Sequence, residues 1–288
     1  MRCWGRRWRV AACVVILASL ATPAARAQPP SEPVEPPPRS YWEPGRPRLF
    51  LQSRFDIGLN FGKGTVSTGY GLPHWIWIGP EVFAISTTEF GAIYGGVRAS
   101  SPILDIAFGY RNNYSYRRTF FAPRDTYTKH DVDEEGRPNA RYLTWELELS
   151  GLVPLFGGYA IWAADLDKIL DAPPDVAVYE ESNRVIVDTP WLLGLRAGYL
   201  YPITGNGGNG GIKLGAVVDY VIQPNRMGKN TIRVGPIGLI TLTDHLEILG
   251  LATFTVASPD DLGFFLGTWA VACFRYKWAT GERHPHFP

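Results

Sequence analysis

The chain has 288 residues, of which 45% are hydrophobic and 19% are charged, and it contains 31 Gly, 10 Trp, 14 Tyr and 14 Phe residues. Many glycines and aromatic residues with few charges are typical of strands and tight turns rather than of helices. Beyond the N-terminus no run of about 18 uncharged apolar residues occurs, which excludes spanning helices. The charged residues form no basic patch, so we expect no nucleic-acid partner.

Residues 1–27 have the three parts of a secretory signal peptide. Four arginines precede an apolar core at residues 10–20, and Ala25-Arg-Ala27 provides a small-x-small cleavage site. We therefore expect the chain to be exported and its mature form to begin near Gln28. Cleavage would leave 23 basic and 27 acidic residues, a net charge of about −4, and Cys273 as the sole cysteine. A single thiol cannot form an intramolecular disulfide, so strand pairing and packing must hold the fold together.

Residues 28–48 contain eight prolines and separate the signal peptide from the patterned part of the chain. A segment of this composition cannot pack a core, and we expect a disordered linker. At the other end, residues 279–288 form a short Pro-containing tail. The folded domain is therefore predicted to span residues 49–278.

Apolar and polar residues alternate with period two through most of this domain, and the pattern is clearest in residues 231–257. Two runs, 231–243 and 245–257, each place an apolar series on one face and charged or hydroxyl residues on the other. They are joined at Asp244-His245, which predicts a β-hairpin. Each run exceeds the roughly 9 to 11 residues that a tilted strand needs to cross a bilayer. Pro236 and Gly238 on the apolar face predict a local break or bulge in the ladder.

The same pattern predicts eleven clear strands. They lie near residues 49–61, 74–85, 89–99, 102–117, 141–153, 157–164, 188–201, 211–223, 230–243, 245–257 and 262–278. Bacterial single-chain barrels have even strand numbers. Either residues 63–72 form a further strand, which gives twelve, or the weak segments between 74 and 99 are misassigned, which gives ten. We favour twelve.

Connection lengths predict which end of the barrel faces outward. Two connections, 118–140 and 165–187, are long and polar, whereas 151–158, 204–210 and Asp244-His245 are short turns. Outer-membrane barrels keep short turns on the periplasmic side and long loops outside. If the last strand descends to the periplasm, the strand count places both long loops outside and these turns inside. Within the second loop, the spacing of residues 165–171 predicts a short helix.

Charged residues share one parity along the strands, opposite to the apolar residues. Arg or Lys facing lipid near the midplane would cost roughly 2 to 4 kcal/mol each, so the shared parity favours an inward orientation. Aromatic residues at strand ends suit the lipid headgroup level: these are Trp75, Trp77, Tyr110, Trp191, Tyr199, Tyr201, Tyr276 and Trp278. The residues predicted to line the lumen are Arg54, Asp56, Arg98, Asp105, Arg111, Glu146, Glu148, Arg196, Lys213, Asp219 and Arg233.

These features together resemble a Gram-negative outer-membrane β-barrel protein: a signal peptide, a series of amphipathic strands, long alternate loops and an aromatic final strand. The resemblance covers about 230 residues and implies an all-β, antiparallel transmembrane β-barrel of 10–12 strands in the outer membrane. It also implies that the wall contacts outer-membrane lipid and lipopolysaccharide. Members of this family usually end at an aromatic residue that closes the last strand, whereas this chain continues past Trp278. No subfamily can be named.

Candidate catalytic groups are sparse. Asp244-His245 and Asp260-Asp261 supply the residue types that the outer-membrane proteases use, but the predicted topology places them a membrane thickness apart, beyond hydrogen-bond reach. No mature histidine lies mid-strand on the inward parity beside a serine, as a barrel lipase would need. Residues 131–136 are spaced like the start of a calcium loop but lack its closing glutamate. We therefore expect no metal site, no cofactor and no enzymatic activity.

The sequence leaves the function of the lumen open. Mutual salt bridges would fill it and give a structural or surface-interaction barrel, whereas a water-filled lumen would give a narrow, weakly selective pore for small solutes. A barrel hydrolase, either protease or lipid-modifying, is the alternative from another class. A secreted soluble β-sandwich is the remaining possibility.

Overall fold

A computed structural model describes residues 46–204, 211–226 and 228–280. Its strands, in chain order, are β1 Arg48–Gly58, β2 Phe61–Leu72, β3 Ile76–Thr87, β4 Phe90–Ser100, β5 Asp105–Ser115, β6 Arg118–Phe121, β7 Arg137–Pro138, β8 Arg141–Leu155, β9 Gly158–Ile169, β10 Ala177–Glu180, β11 Val185–Asp188, β12 Trp191–Pro202, β13 Gly211–Ile222, β14 Thr231–Thr241, β15 Leu246–Ala257 and β16 Trp269–Ala279. Two short helices, α1 Lys129–Glu134 and α2 Gly263–Gly267, complete the set with a 3-10 turn at Pro224–Arg226. Within these residues no helix has the length and apolarity needed to cross a membrane.

Twelve of the strands close into an antiparallel barrel. Their order around the wall is β1-β16-β15-β14-β13-β12-β9-β8-β5-β4-β3-β2. Closure is made by β1 and β16, which pair from Gln52↔Ala279 to Gly58↔Cys273. Residues 63–72 lie in β2, so the favoured count of twelve is confirmed and the count of ten is wrong. The predicted signal peptide (1–27), most of the predicted linker (28–48) and most of the predicted tail (279–288) lie outside the described residues.

The two faces of the wall differ in polarity, as the alternation predicts. In β13, Lys213 and Asp219 are buried inside, at 7% and 5% exposure, whereas Leu214 and Val218 stand on the outer surface at 50% and 45%. Many strands carry large apolar side chains on the outer surface. Contact between these side chains and water is unfavourable in free energy, whereas contact with hydrocarbon is not. The polarity is therefore that of a barrel that spans a membrane. Trp75 and Trp77 depart from the predicted headgroup belt, because both are 6% exposed.

Both ends of the barrel match the predicted topology. The turns at residues 73–75, 101–104, 156–157 and 242–245 lie at the end that holds the first and last residues of the wall. The two long connections and the β1–β2, β3–β4, β13–β14 and β15–β16 turns lie at the opposite end. We call this opposite end the cap end.

Two predictions about local structure are wrong, and one segment has a structure that the sequence did not indicate. Residues 165–171 do not form a helix, since β9 continues to Ile169 and keeps its alternation, with Asp165 and Asp167 on the inward parity. The last strand begins at Trp269 rather than at residue 262, because α2 interrupts it. Residues 131–136 are largely the helix α1. There Asp131 accepts a hydrogen bond from the Thr128 backbone N–H (2.6 Å) and so caps its own helix.

The predicted break near Pro236 is present as an irregularity between β14 and β15. The register shifts between Ile232 and Arg233, which face Ala257 and Thr255. The same ladder passes from Val234↔Phe254 to Ile237↔Leu251, so it omits Pro236. Proline has no N–H to donate, which accounts for this second interruption.

The two long connections fold together instead of forming separate loops. Strands β11, β10, β6 and β7 make a second, four-stranded sheet in that order, with Ala177↔Phe121 and Val178↔Phe120 joining one connection to the other. We call this sheet with α1 and the 258–268 loop the cap. One face of the cap packs in a cluster of Phe121, Tyr127, Val132, Ala177, Tyr179, Ile186, Leu262 and Leu266. The other packs on the barrel wall through Tyr142, Ile169, Val178, Val185, Val187, Leu192 and Val221.

Candidate functional site

The turn between β10 and β11 lies inside the barrel mouth. We call residues 181–184 the plug turn. The Arg111 guanidinium on β5 donates to Ser182 Oγ (3.0 Å), and the Trp269 indole N–H on β16 donates to the Ser182 carbonyl (2.8 Å). Arg233 on β14 donates to the Arg184 carbonyl (2.8 Å). Five steps around the twelve-stranded wall separate β5 from both β14 and β16. The plug turn therefore bridges nearly opposite sides of the lumen.

Arg111 is the centre of the charged contacts below the plug turn. Its guanidinium lies 3.2 Å from Glu180, 3.4 Å from Asp167 and 3.5 Å from Glu146. These carboxylates belong to β10, β9 and β8. A buried guanidinium can satisfy several acceptors at once because its donors are fixed in a planar fork. We call the paired strands β10 and β11 with the plug turn the cap hairpin. Arg111 consequently ties this hairpin, at Glu180, to two neighbouring wall strands.

Glu181 in the plug turn is buried, and it makes no ion pair with any residue that the structure describes. It is 4% exposed, and its carboxylate accepts hydrogen bonds from three hydroxyl groups, those of Ser115, Thr119 (3.3 Å) and Tyr142 (3.3 Å). Burial, reinforced by the charge of Glu180, raises the pKa of Glu181 to about 7, although the hydroxyl donors pull in the opposite direction. The charge of the plug turn therefore changes near neutral pH.

A chamber of about 310 Å³ lies below the plug turn, and we call it the central chamber. Charges of both signs line it from several sides of the wall: Lys63, Arg111, Glu146, Glu148, Asp165, Asp167, Arg196, Asp219 and Arg233. A second cavity of about 200 Å³ adjoins it near β2 and β3, where the Lys63 ammonium sits 3.8 Å from the centre of the Phe83 ring. The lumen is therefore divided into small charged compartments instead of a continuous wide channel.

The structure places all eleven of the predicted lumen-lining residues on the inward parity and groups most of them into ion pairs. One group joins Arg98 to Glu81 (2.9 Å), to Asp105 and to Glu148 (3.3 Å). A second joins Arg196 to Asp219 (2.5 Å).

The remaining predicted lumen residues fall into further groups. Arg54 lies 3.7 Å from Asp56, which also binds Arg275 (2.7 Å). Arg111 and Glu146 belong to the contacts under the plug turn. Lys213 lies 5.7 Å from the Tyr159 ring centre. Arg233 makes no ion pair in the described part of the chain.

Sequence reasoning missed several inward residues and the plug turn itself. The sequence pattern places Asp165 and Asp167 in a loop, and Glu81 lies in a segment whose alternation is weak. The alternation alone predicts that Arg275 and Lys277 face inward, because they alternate with the outward-facing aromatic residues of β16. The inward fold of residues 181–184 has no signal in a single sequence, since any polar loop of this length could equally extend into water.

The candidate catalytic pairs lie at opposite ends of the barrel. Asp244-His245 forms the β14–β15 turn, where His245 Nδ1 lies 2.8 Å from the Lys277 carbonyl oxygen. Asp260 lies in the cap, where both of its carboxylate oxygens bind Arg226, at 2.6 Å and 2.9 Å. The described residues contain no group of three or more His, Cys, Asp or Glu side chains arranged to hold a metal ion.

No protein-family model matches the chain, and no curated protein matches it either. Among solved structures, it is similar to the crystal structure of the β domain of the Bordetella autotransporter BrkA, with 11% identity and a TM-score of 0.39, over 84% of this chain and 99% of that one. The architecture is assigned from the wall, which is a closed sheet of twelve strands with an apolar outer face and a charged inner face. This is the fold of an outer-membrane β-barrel.

Proposed function

We propose that the protein is a non-enzymatic outer-membrane barrel whose lumen is sealed by its own plug turn, and that it acts as a structural or surface-interaction barrel. Residues 1–27 would direct its export, and outer-membrane lipid and lipopolysaccharide would surround its wall. The observation that supports a sealed lumen best is the set of hydrogen bonds from Arg111, Trp269 and Arg233 to the plug turn.

The packing of the cap supports a lasting seal. Val178 and Val187 face each other across β10 and β11, and both are fully buried against the barrel wall. Arg226 adds a buried link, because it binds Asp260 and donates to the Ile186 carbonyl (3.2 Å) and to the Asp125 carbonyl (3.0 Å). Removing the hairpin from the mouth would expose this apolar surface and break these contacts together. A folded cap with its own core is also a surface that a partner outside the cell can contact.

Single-channel recording in a planar bilayer tests the seal. The purified, folded protein should give no conductance steps, because the plug turn spans the mouth. A variant in which residues 177–188 are replaced by a short Gly-Ser linker should give discrete steps, provided that it shows the heat-modifiable migration of a folded barrel. Asp133→Asn, a change on the exposed part of the cap, is the matched control and should stay silent. Steady conductance by the unmodified protein would overturn the proposal.

A gated pore for small solutes is the second candidate, and the central chamber of about 310 Å³ favours it. A chamber lined with both signs of charge behind a movable turn could pass small solutes when the turn withdraws. This candidate predicts rare, brief openings of the unmodified protein. Arg111→Gln should make them more frequent, since it removes the contacts with Ser182 and Glu180. Such openings would support the gated pore and contradict a permanent seal.

A further inference from the structure

A cleft of about 230 Å³ opens at the cap end, between the upper part of β14–β15 and α2. We call it the rim cleft. It lies where the β14–β15 register shifts between Ile232 and Arg233, so the wall is locally irregular there. Bulges of this kind re-aim side chains at the rims of barrels. The cleft is lined by Arg233 from the wall and by Arg184 from the plug turn.

Arg233 is a buried cation whose neighbouring carboxylate, Asp219, is already paired with another arginine. Its side chain is 2% exposed, it makes no ion pair in the described part of the chain, and its Nε has no hydrogen-bond partner there. Its cross-strand neighbour Asp219 is already engaged by Arg196 (2.5 and 3.0 Å) and by the Thr253 hydroxyl (2.9 Å). A buried guanidinium that lacks a carboxylate is costly unless an anion satisfies it.

A second guanidinium and several hydroxyl groups line the same cleft. Arg184 has a side chain 20% exposed, and it reaches Glu89 at a separation of 3.5 Å. Thr231 and Ser258 place their hydroxyl oxygens 3.4 Å apart beside the two arginines. Two guanidinium groups with nearby hydroxyl donors are the set that recognises a phosphate, because the planar forks match its oxygens.

Most of the negative charge near the cleft is already taken by other arginines. Glu89, which lies 3.5 Å from Arg184, pairs more closely with Arg117 (2.9 Å). Asp260 is bound by Arg226 through both of its oxygens. Asp261 also lines the cleft, but it is exposed, so water screens its charge. In the buried part of the cleft Asp260 is neutralised by Arg226, so the charge left without an ion pair there is that of Arg233, whereas Asp261 faces solvent.

The outer side of the cleft is apolar. Phe254 on β15 and Phe264 on α2 stack with their ring centres 5.8 Å apart, and they are 41% and 64% exposed. Phe254 lies on the outward parity of its strand, the side that the other exposed apolar residues of the wall share. Aromatic residues at this level of a barrel sit at the boundary between headgroups and acyl chains.

We propose that the rim cleft binds a phosphate group, with Arg233 and Arg184 as its ligands, and that the phosphate belongs to an amphiphile whose acyl chains lie against Phe254 and Phe264. An amphiphile fits both halves of the cleft, whereas a free phosphate fits only the cationic half.

Calorimetric titration of the folded protein in neutral detergent tests this with three probes: a short-chain phosphatidic acid, the matching short-chain diacylglycerol, and inorganic phosphate. The phosphatidic acid should bind, and the diacylglycerol should not. Inorganic phosphate should bind more weakly than the lipid, because it makes no contact with the aromatic pair. Equal affinity for inorganic phosphate would keep the phosphate site and overturn the assignment to an amphiphile.

Substitutions locate the site. Arg233→Gln and Arg184→Gln should each weaken binding of the phosphatidic acid by about tenfold or more, the size expected for losing a charge-assisted hydrogen bond. Arg184→Gln keeps the backbone carbonyl that Arg233 contacts, so it tests the site even if Arg233→Gln does not fold. Arg141→Gln, at the same end of the barrel but outside the cleft, where its Nε donates to Asn112 Oδ1 (3.1 Å), is the matched control and should bind normally. Absence of binding by either phosphate compound, or binding unchanged in both cleft variants, would overturn the proposal.

Discussion

Individual buried charges set the properties of the barrel mouth. Arg111 and Arg233 lie on the wall and reach the plug turn from different sides, whereas Glu181 lies in the turn itself. Among the described residues, Arg111 is surrounded by carboxylates, Arg233 makes no ion pair, and Glu181 accepts hydrogen bonds from three hydroxyl groups. Each therefore responds differently to pH, salt and substitution.

Glu181 should make the hairpin less stable as pH rises. Its pKa in the folded state is about 7, above the usual value of 4.5, so between these values the folded form holds a proton that the opened form has lost. Stability is therefore highest below about pH 4.5, falls as pH rises through this window and is level above about pH 7. At 1.36 kcal/mol per pKa unit the full loss is about 3 kcal/mol.

Hydrogen exchange of the amides in residues 177–188, corrected for the intrinsic effect of pH, measures this loss. Protection should decline between pH 5 and pH 7 in the unmodified protein. Glu181→Gln removes the titrating group and should make the corrected protection independent of pH over that range. The same decline in both proteins would show that another group is responsible.

At the scale of elements, the close contact between β14 and β15 depends on a residue without a side chain. A Cβ at Gly235 would lie 1.8 Å from the Ala252 carbonyl oxygen, which belongs to the backbone of β15 and cannot move aside cheaply. Gly250, on β15, has nothing within 4 Å of the same position. The two glycines are therefore a matched pair on adjoining strands.

Gly235→Ala should lower the free energy of unfolding by about 1 to 3 kcal/mol or more, as overpacking does when backbone must shift. Gly250→Ala should be close to neutral. Urea titration followed by heat-modifiable migration measures both. A neutral effect of Gly235→Ala would mean that the two strands are less closely paired than described.

The cap hairpin shows how an element can be tied to both the wall and a second core. In β10, Val178 faces the wall cluster while Ala177 and Tyr179 face the cap cluster, so alternate residues serve different cores. This pattern resembles that of a strand buried on both faces. In the sequence such a segment is a short apolar run, and the run alone does not indicate which surfaces the segment packs against.

At the scale of the whole molecule, the outer surface of the wall must face hydrocarbon if the barrel spans a membrane. Val82 lies near the middle of β3 and is 53% exposed, whereas Ile103 is 54% exposed but lies in the turn between β4 and β5. Val82→Lys should therefore destabilise the barrel in lipid vesicles by about 2 to 4 kcal/mol, and Ile103→Lys by about 0 to 1 kcal/mol. Urea-induced unfolding from vesicles is the measurement. Equal, small effects would contradict a lipid-facing wall.

The sequence by itself determined the wall. Side-chain alternation has a period of two, and a closed sheet with lipid outside and charge inside repeats that period in every strand. Strand type, the inward parity of residues such as Arg98 and Asp219, the ends at which the long connections lie and the favoured count of twelve all follow from it. The sequence predicts the wrong strand ends at 165–169 and 262–268. A segment rich in carboxylates has the composition of a loop, and a short apolar helix has the composition of a strand.

Only the tertiary structure decided what fills the barrel. The four-stranded cap sheet joins residues 118–138 to residues 177–188, and a pairing between distant segments leaves no local periodicity. The plug turn, the central chamber and the rim cleft all depend on that pairing. The physical reason is that the alternation of apolar and polar side chains along a strand indicates which face meets lipid. The path of a polar loop, in contrast, depends on the contacts that the loop makes with the closed wall.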